Sequence, residues 1–110
     1  MSIDETKGTA SAARVPVSRS EIAEFCRRHQ IRRLSLYGSV LRDDFRPDSD
    51  IDVLVEFRPG HAVGLEIIDM EEDLSRIFGG HKVDIVQEKY LNRRLRTRVL
   101  ASAEVEYAEG

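Results

Sequence analysis

Four side chains and one glycine in this chain have the types and spacing that phosphate chemistry uses: Gly38-Ser39, then ten residues, then Asp50-Ile51-Asp52, and further along Asp84. On a β-strand, residues i and i+2 share a face about 6 to 7 Å apart, so Asp50 and Asp52 are presented together while Ile51 and Val53 turn to the core. Two carboxylates held so close repel each other. A divalent cation removes that penalty, and Mg²⁺, which takes carboxylate oxygens together with substrate phosphates, suits the pair. Asp84 lies between Val83 and Ile85, so it leaves the core on the opposite face, and a third strand beside the second would bring all three acids together. Three carboxylates around two metal ions about 3.5 to 4 Å apart would clamp an attacking oxygen and a leaving phosphate for in-line displacement. Gly38 lets backbone amides approach a phosphate closely. Ser39 adds a hydroxyl donor at a helix start, where anions are favoured.

Each piece alone is an ordinary turn or strand-start residue; the combination is what points to a site. Asp48, Asp50 and Asp52 alternate as in a calcium loop, but counting from Asp48 puts Val53 where glycine is needed and Pro59 where glutamate is needed. GxxxxGK and GxGxxG patterns are both absent.

The elements that must position these residues can be read from pattern. Residues 1–17, rich in Ser, Ala and Thr without periodicity, are expected as a loose tail. Ser18-Arg19-Ser20-Glu21 fits a capping box, and Ile22, Phe25, Cys26 and His29 mark one face of the helix it opens. A strand over Arg33–Tyr37 ends at Gly38-Ser39, and a short helix over Val40–Asp44 follows. Asp50–Phe57, rich in Ile and Val, is the clearest strand. Ile67, Met70, Leu74, Ile77 and Phe78 recur at three and four, predicting a helix over 65–78 that stops at Gly79-Gly80. Lys82–Val86 reads as a third strand, Leu91, Leu95 and Val99 support a helix over 90–103, and Glu104–Gly110 is ambiguous. The order implies an α/β or α+β fold, a small mixed sheet of about three strands covered by helices.

Composition bounds the function. The chain has 110 residues, room for one domain, and 17 basic against 20 acidic residues give a net charge of −3. Bulk attraction to nucleic acid is therefore not expected, nor is direct nucleic-acid binding. No apolar run suits a membrane span or secretory leader, so a cytoplasmic protein without a membrane partner is expected. Cys26 is the single cysteine; a packed thiol is expected rather than a disulfide or zinc site. His29, His61 and His81 are dispersed and read as surface or cap residues. The Arg27, Arg28, Arg32, Arg33 cluster and the Arg93, Arg94, Arg96, Arg98 series read as solvated faces, with docking to an acidic partner as the functional alternative. The acidic run Glu66, Asp69, Glu71, Glu72 and Asp73 reads as the wet side of its helix, with binding of a basic toxin as the functional alternative.

The run GSVLRDDFRPDSDIDVLVEF, residues 38–57, resembles the signature of the minimal nucleotidyltransferases of the DNA polymerase β superfamily: Gly-Ser, ten residues, Asp-x-Asp. The likeness is close over residues 33–57 and looser to about 107, which implies a nucleotidyltransferase domain over 18–107. It implies that Gly38 and Ser39 hold the nucleoside triphosphate, that Asp50 and Asp52 bind two Mg²⁺ ions, and that Asp84, the third carboxylate, assists the metals and accepts a proton from the attacking hydroxyl. Arg42 matches the arginine that commonly follows the Gly-Ser pair, with a phosphate-binding or a local structural role. Many relatives have Ala-Arg-Gly where this chain has Leu41-Arg42-Asp43, so Asp43 adds negative charge near the implied triphosphate.

The likeness in size to the antitoxin halves of HEPN and MNT toxin–antitoxin pairs implies a HEPN-type ribonuclease toxin as partner, ATP as donor and a tyrosine hydroxyl as acceptor. Two other readings stand beside it: a binding module that inhibits its partner by occlusion without catalysis, and transfer to a small acceptor such as an aminoglycoside.

Overall fold

The computed structural model describes residues 13–109 of the chain. Helix α1 (Arg19–Arg28) begins where the Ser18 hydroxyl accepts a hydrogen bond from the Glu21 amide at 3.3 Å, satisfying one of the donors that a helix start leaves free. Its face of Ile22, Phe25 and Cys26 is buried, and His29 caps its C-terminus with the ring against Phe25. Strand β1 (Ile31–Tyr37) leads into a single 3-10 turn, Gly38–Leu41. Strand β2 (Ile51–Phe57) follows the irregular segment 42–50.

Helix α2 (Glu66–Ile77) ends in a Schellman arrangement: Gly79 and Gly80 take φ of 86° and 99°, and their amides bond the carbonyls of Arg76 and Ser75. Strand β3 (Val83–Gln87), a short 3-10 turn, helix α3 (Arg93–Ser102) and strand β4 (Glu104–Ala108) complete the order.

The sheet order is β3-β2-β1-β4, with β1 antiparallel to both neighbours and β2 parallel to β3. The parallel pair requires a crossover, and α2 supplies it. The core lies on one face. Ile22, Phe25 and Cys26 of α1, with Met70 and Leu74 of α2 and Phe78 beyond it, pack on Leu34 and Leu36 of β1, Ile51, Val53 and Val55 of β2, and Val83 and Ile85 of β3. Because strand side chains alternate, the opposite face carries Arg33, Ser35 and Tyr37, then Asp52, Leu54 and Glu56, then Asp84 and Val86.

Several expectations are corrected. The sheet has four strands, since Glu104–Ala108 pairs with β1. Its alternation is inverted: Glu106 is 4% exposed and Val105 47%, so apolar patterning carries no strand signal there. The short helix expected over Val40–Asp44 is the 3-10 turn Gly38–Leu41, ended by Arg42 in extended backbone. β1 starts two residues early at Ile31, and α3 starts at Arg93 with no buried residue. The loose tail expected over 1–17 lies in part outside the described residues, but Ala13, Val15 and Val17 pack on the core while Arg14 and Pro16 stay exposed. Val15 is 8% exposed and belongs to the core, and the Arg14 amide donates to the Val40 carbonyl at 2.8 Å. Cys26 is buried as expected, and burial pushes its thiol up to about 12. No helix among the described residues is long and apolar enough to cross a membrane.

Candidate active site

The site is built at one end of the sheet by the register of three strands. Tyr37, the last residue of β1, pairs with Asp52 of β2, and Asp52 pairs with Asp84 of β3. These three side chains therefore form one row on the open face, with neighbouring strands about 4.8 Å apart. Asp50 stands two residues before Asp52, just ahead of β2. The Ile51 amide between the two acids donates to the Lys82 carbonyl at 2.8 Å, which ties the start of β2 to the start of β3. β3 is held from its other side by Glu71 of α2, whose carboxylate accepts the Ile85 amide at 2.9 Å.

Gly38 closes the row from above. It takes φ +80°, a conformation open to glycine, and a Cβ placed on it would lie 2.5 Å from Asp52 Oδ2. The absence of a side chain at Gly38 therefore lets the Asp52 carboxylate lie directly against the turn. Val40 is buried below and anchors that turn, while Ser39 stays partly accessible.

Electrostatics agree with the geometry. Burial, then the charge of Asp84, then that of Asp50 hold the Asp52 carboxyl above the usual aspartate range, and Arg42 opposes them. Burial, followed by Asp52 and Asp84, pushes the Tyr37 phenol up. Asp52 therefore feels both neighbouring acids, as a like charge at the centre of the row must. Among the described residues, no group of three or more His, Cys, Asp or Glu side chains is placed so that it could hold a metal ion by itself, Asp50, Asp52 and Asp84 included. A donor set of carboxylate oxygens on an open surface fits Mg²⁺, which keeps several waters and is held by one or two carboxylates plus phosphate oxygens.

The expected residues divide clearly. Gly38, Asp50, Asp52 and Asp84 are brought together at one end of the sheet, and Ser39 follows Gly38 in the turn. Arg42 is exposed, its Nε donates to Asp44 Oδ1 at 3.2 Å, and its charge reaches Asp52. Asp43 is ion-paired with Arg14, so the negative charge that the motif adds is met inside the chain. Three contributors escaped sequence reasoning. Tyr37 was findable, because the alternation that sends Leu34 and Leu36 inward sends it out. Arg14 and Glu71 act over 29 and 14 residues of separation and leave no local signal.

The arginine cluster before β1 also divides. Arg33, half-buried, is ion-paired within the chain rather than simply solvated: it donates to Glu88 at 2.7 Å and lies 3.4 Å from Glu56.

The nucleotidyltransferase domain family matches residues 19–107. The chain is 32% identical over 77 residues to the protein adenylyltransferase MntA of Thermococcus cleftensis, covering 70% of this chain and 76% of that one. A solved structure described as a minimal nucleotidyltransferase is 39% identical, with a TM-score of 0.65, over 77% of this chain and 85% of that chain. A solved complex of a tri-AMPylated Shewanella oneidensis HEPN toxin with an MNT antitoxin shares the fold, with a TM-score of 0.61 at 17% identity, covering 82% and 69% of the respective chains.

Proposed function

Because the chain belongs to the nucleotidyltransferase domain family and is a nucleotidyltransferase, we propose that it transfers AMP from ATP to a tyrosine hydroxyl of a HEPN-type toxin protein and thereby acts as an antitoxin. The observation that carries this reading is the row Tyr37–Asp52–Asp84 with Asp50 beside it and the close approach of Asp52 to Gly38. Gly38 and Ser39 receive the triphosphate on the turn, and Arg42, exposed and paired with Asp44, would exchange that partner for its phosphates. Asp50, Asp52 and Asp84 would hold two magnesium ions, which when bound supply the positive charge that offsets charge developing on the phosphates.

In the transfer, the acceptor oxygen bonds the α-phosphorus, the bond to the bridging oxygen of the β-phosphate breaks, and pyrophosphate leaves. Asp84, exposed at the edge of the row, takes the acceptor proton. Asp50 and Asp84 are exposed at the end of the sheet, which suits an acceptor large enough to bring its own wall. The relatives named for protein adenylyl transfer, and the solved complex of an AMPylated HEPN toxin with its antitoxin, support this choice of acceptor and donor.

The test is incubation with Mg²⁺, ATP labelled on the α-phosphate and a HEPN-type partner. The partner should gain label, and the Asp50→Asn, Asp52→Asn double variant should transfer none. Equal labelling by that variant refutes the mechanism. Toxin neutralisation that persists undiminished after all three acids are neutralised would favour inhibition by occlusion.

A further inference from the structure

Helix α3 has an outer surface that the fold leaves unused. No residue of it is buried, although a ten-residue helix draws most of its stability from packing one face. Its half-buried positions are Arg96 and Val99. At 3.6 residues per turn, Arg94 and Arg98 then lie on the outward crest, with Arg93 beside Leu100 on one shoulder and Leu95 on the other, the two leucines 37% and 43% exposed. The helix carries four arginines and no acid, in a chain of net charge −3. Among the described residues none of the four makes an ion pair. Strand β4 follows at once, and Glu104 pairs with Leu36, one residue before Tyr37. The end of α3 and the exposed Val105 therefore stand at the catalytic end of the sheet.

We propose that α3 and the head of β4 are the docking surface for the acceptor protein, received by a groove with an acidic floor and aliphatic walls. This rests on the adenylyl-transfer reading above and says where the acceptor is held. Charge complementarity selects the occupant. A second copy meeting this one α3 to α3 would set the exposed Arg93, Arg94 and Arg98 against the same three arginines, like charge on like. A nucleic acid would satisfy the arginines but leave Leu95, Leu100 and Val105 uncovered. A protein groove of opposite charge satisfies both, in the manner of an amphipathic helix in a groove.

The test measures docking apart from transfer, using the Asp50→Asn, Asp52→Asn chain and the HEPN-type acceptor. Adding Arg93→Glu, Arg94→Glu and Arg98→Glu should lower the association rate at low salt by about tenfold or more and flatten its salt dependence. In the otherwise wild-type enzyme the same three changes should raise KM for the acceptor and leave KM for ATP unchanged. Leu95→Ser with Leu100→Ser should instead speed dissociation. Circular dichroism and urea unfolding establish that both variants are folded. Unchanged acceptor binding by both folded variants overturns the docking surface while the labelling result still stands. Wild-type protein that neither binds nor labels the acceptor means that the adenylyl-transfer reading has failed, and the docking surface with it. Loss of single-stranded RNA binding on charge reversal, with acceptor binding intact, assigns the crest to nucleic acid and overturns the proposal.

Discussion

Replacing Gly38 by alanine should separate the position of Asp52 from the stability of the fold. The added Cβ would lie 2.5 Å from Asp52 Oδ2, and ordinary contact begins near 3.4 Å, so the carboxylate must withdraw by about 0.9 Å. A displacement of about 1 Å in a reacting group costs about 100-fold in rate. The backbone cost is smaller: alanine in the left-handed region loses about 1 to 2 kcal/mol, part of which is returned by the stiffer unfolded chain.

Gly60 is the matched control, with φ +83° and nothing within 4 Å of an added Cβ. Gly38→Ala and Gly60→Ala should therefore lose similar stability in urea, within about 1 kcal/mol of each other. Only Gly38→Ala should lose transfer of label to the partner, by about 100-fold, and weaken Mg²⁺-dependent binding of a non-hydrolysable ATP analogue measured by calorimetry. Retention of activity within about threefold in Gly38→Ala would show that the place of Asp52 is not what the glycine protects.

Other outcomes follow from the same geometry. Neutralising the repelling acids should raise the metal-free melting temperature of the Asp50→Asn, Asp52→Asn variant above that of the wild type and abolish stabilisation by Mg²⁺; scanning calorimetry with and without the ion checks both. Glu71→Ala leaves the part-buried Ile85 amide without its acceptor and should cost about 1 to 2 kcal/mol in urea unfolding, with faster amide exchange along β3. His29 is held below the usual histidine range by burial first and then by Arg28, against the opposing pull of Asp73. Its folded form resists protonation, so the stability it contributes is present above the unfolded value of 6.5 and is lost as pH falls below it. The urea midpoint should fall between pH 7.5 and 5.5, and fall less in His29→Gln. Cys26, buried with its thiol pushed up to about 12, should react with a thiol reagent only as fast as the chain unfolds, so a native rate near that of a free thiol would contradict its place in the core.

Much of the site was legible in the linear chain because strand alternation is a local rule. Once Ile51, Val53, Val83 and Ile85 are assigned to the core, Asp52 and Asp84 have to face the other way. Gly38 was legible as a residue that permits close approach, and Ser18 as a helix cap, since both signals lie within a few residues of their effect. The fourth strand was hidden because its sequence, Glu-Val-Glu-Tyr-Ala, buries a glutamate and exposes a valine. Edge pairing rather than apolar patterning makes it a strand. For Arg42 the linear chain leaves two roles open, and its contact with Asp44 together with its reach to Asp52 leaves it able to serve either.

The sequence by itself determined the chemical types present and their spacing along the chain: a glycine-serine turn, two acids two residues apart, and a third on a later strand. Whether the third acid meets the first two depended on a parallel pairing of β2 with β3 in the register that opposes Asp52 to Asp84. That register is decided by α2 crossing over the core and by Glu71 holding the strand edge. Local patterns can state which way a side chain points. Which other side chain it meets is settled by packing between segments distant in sequence, and those contacts exist only once the core has formed.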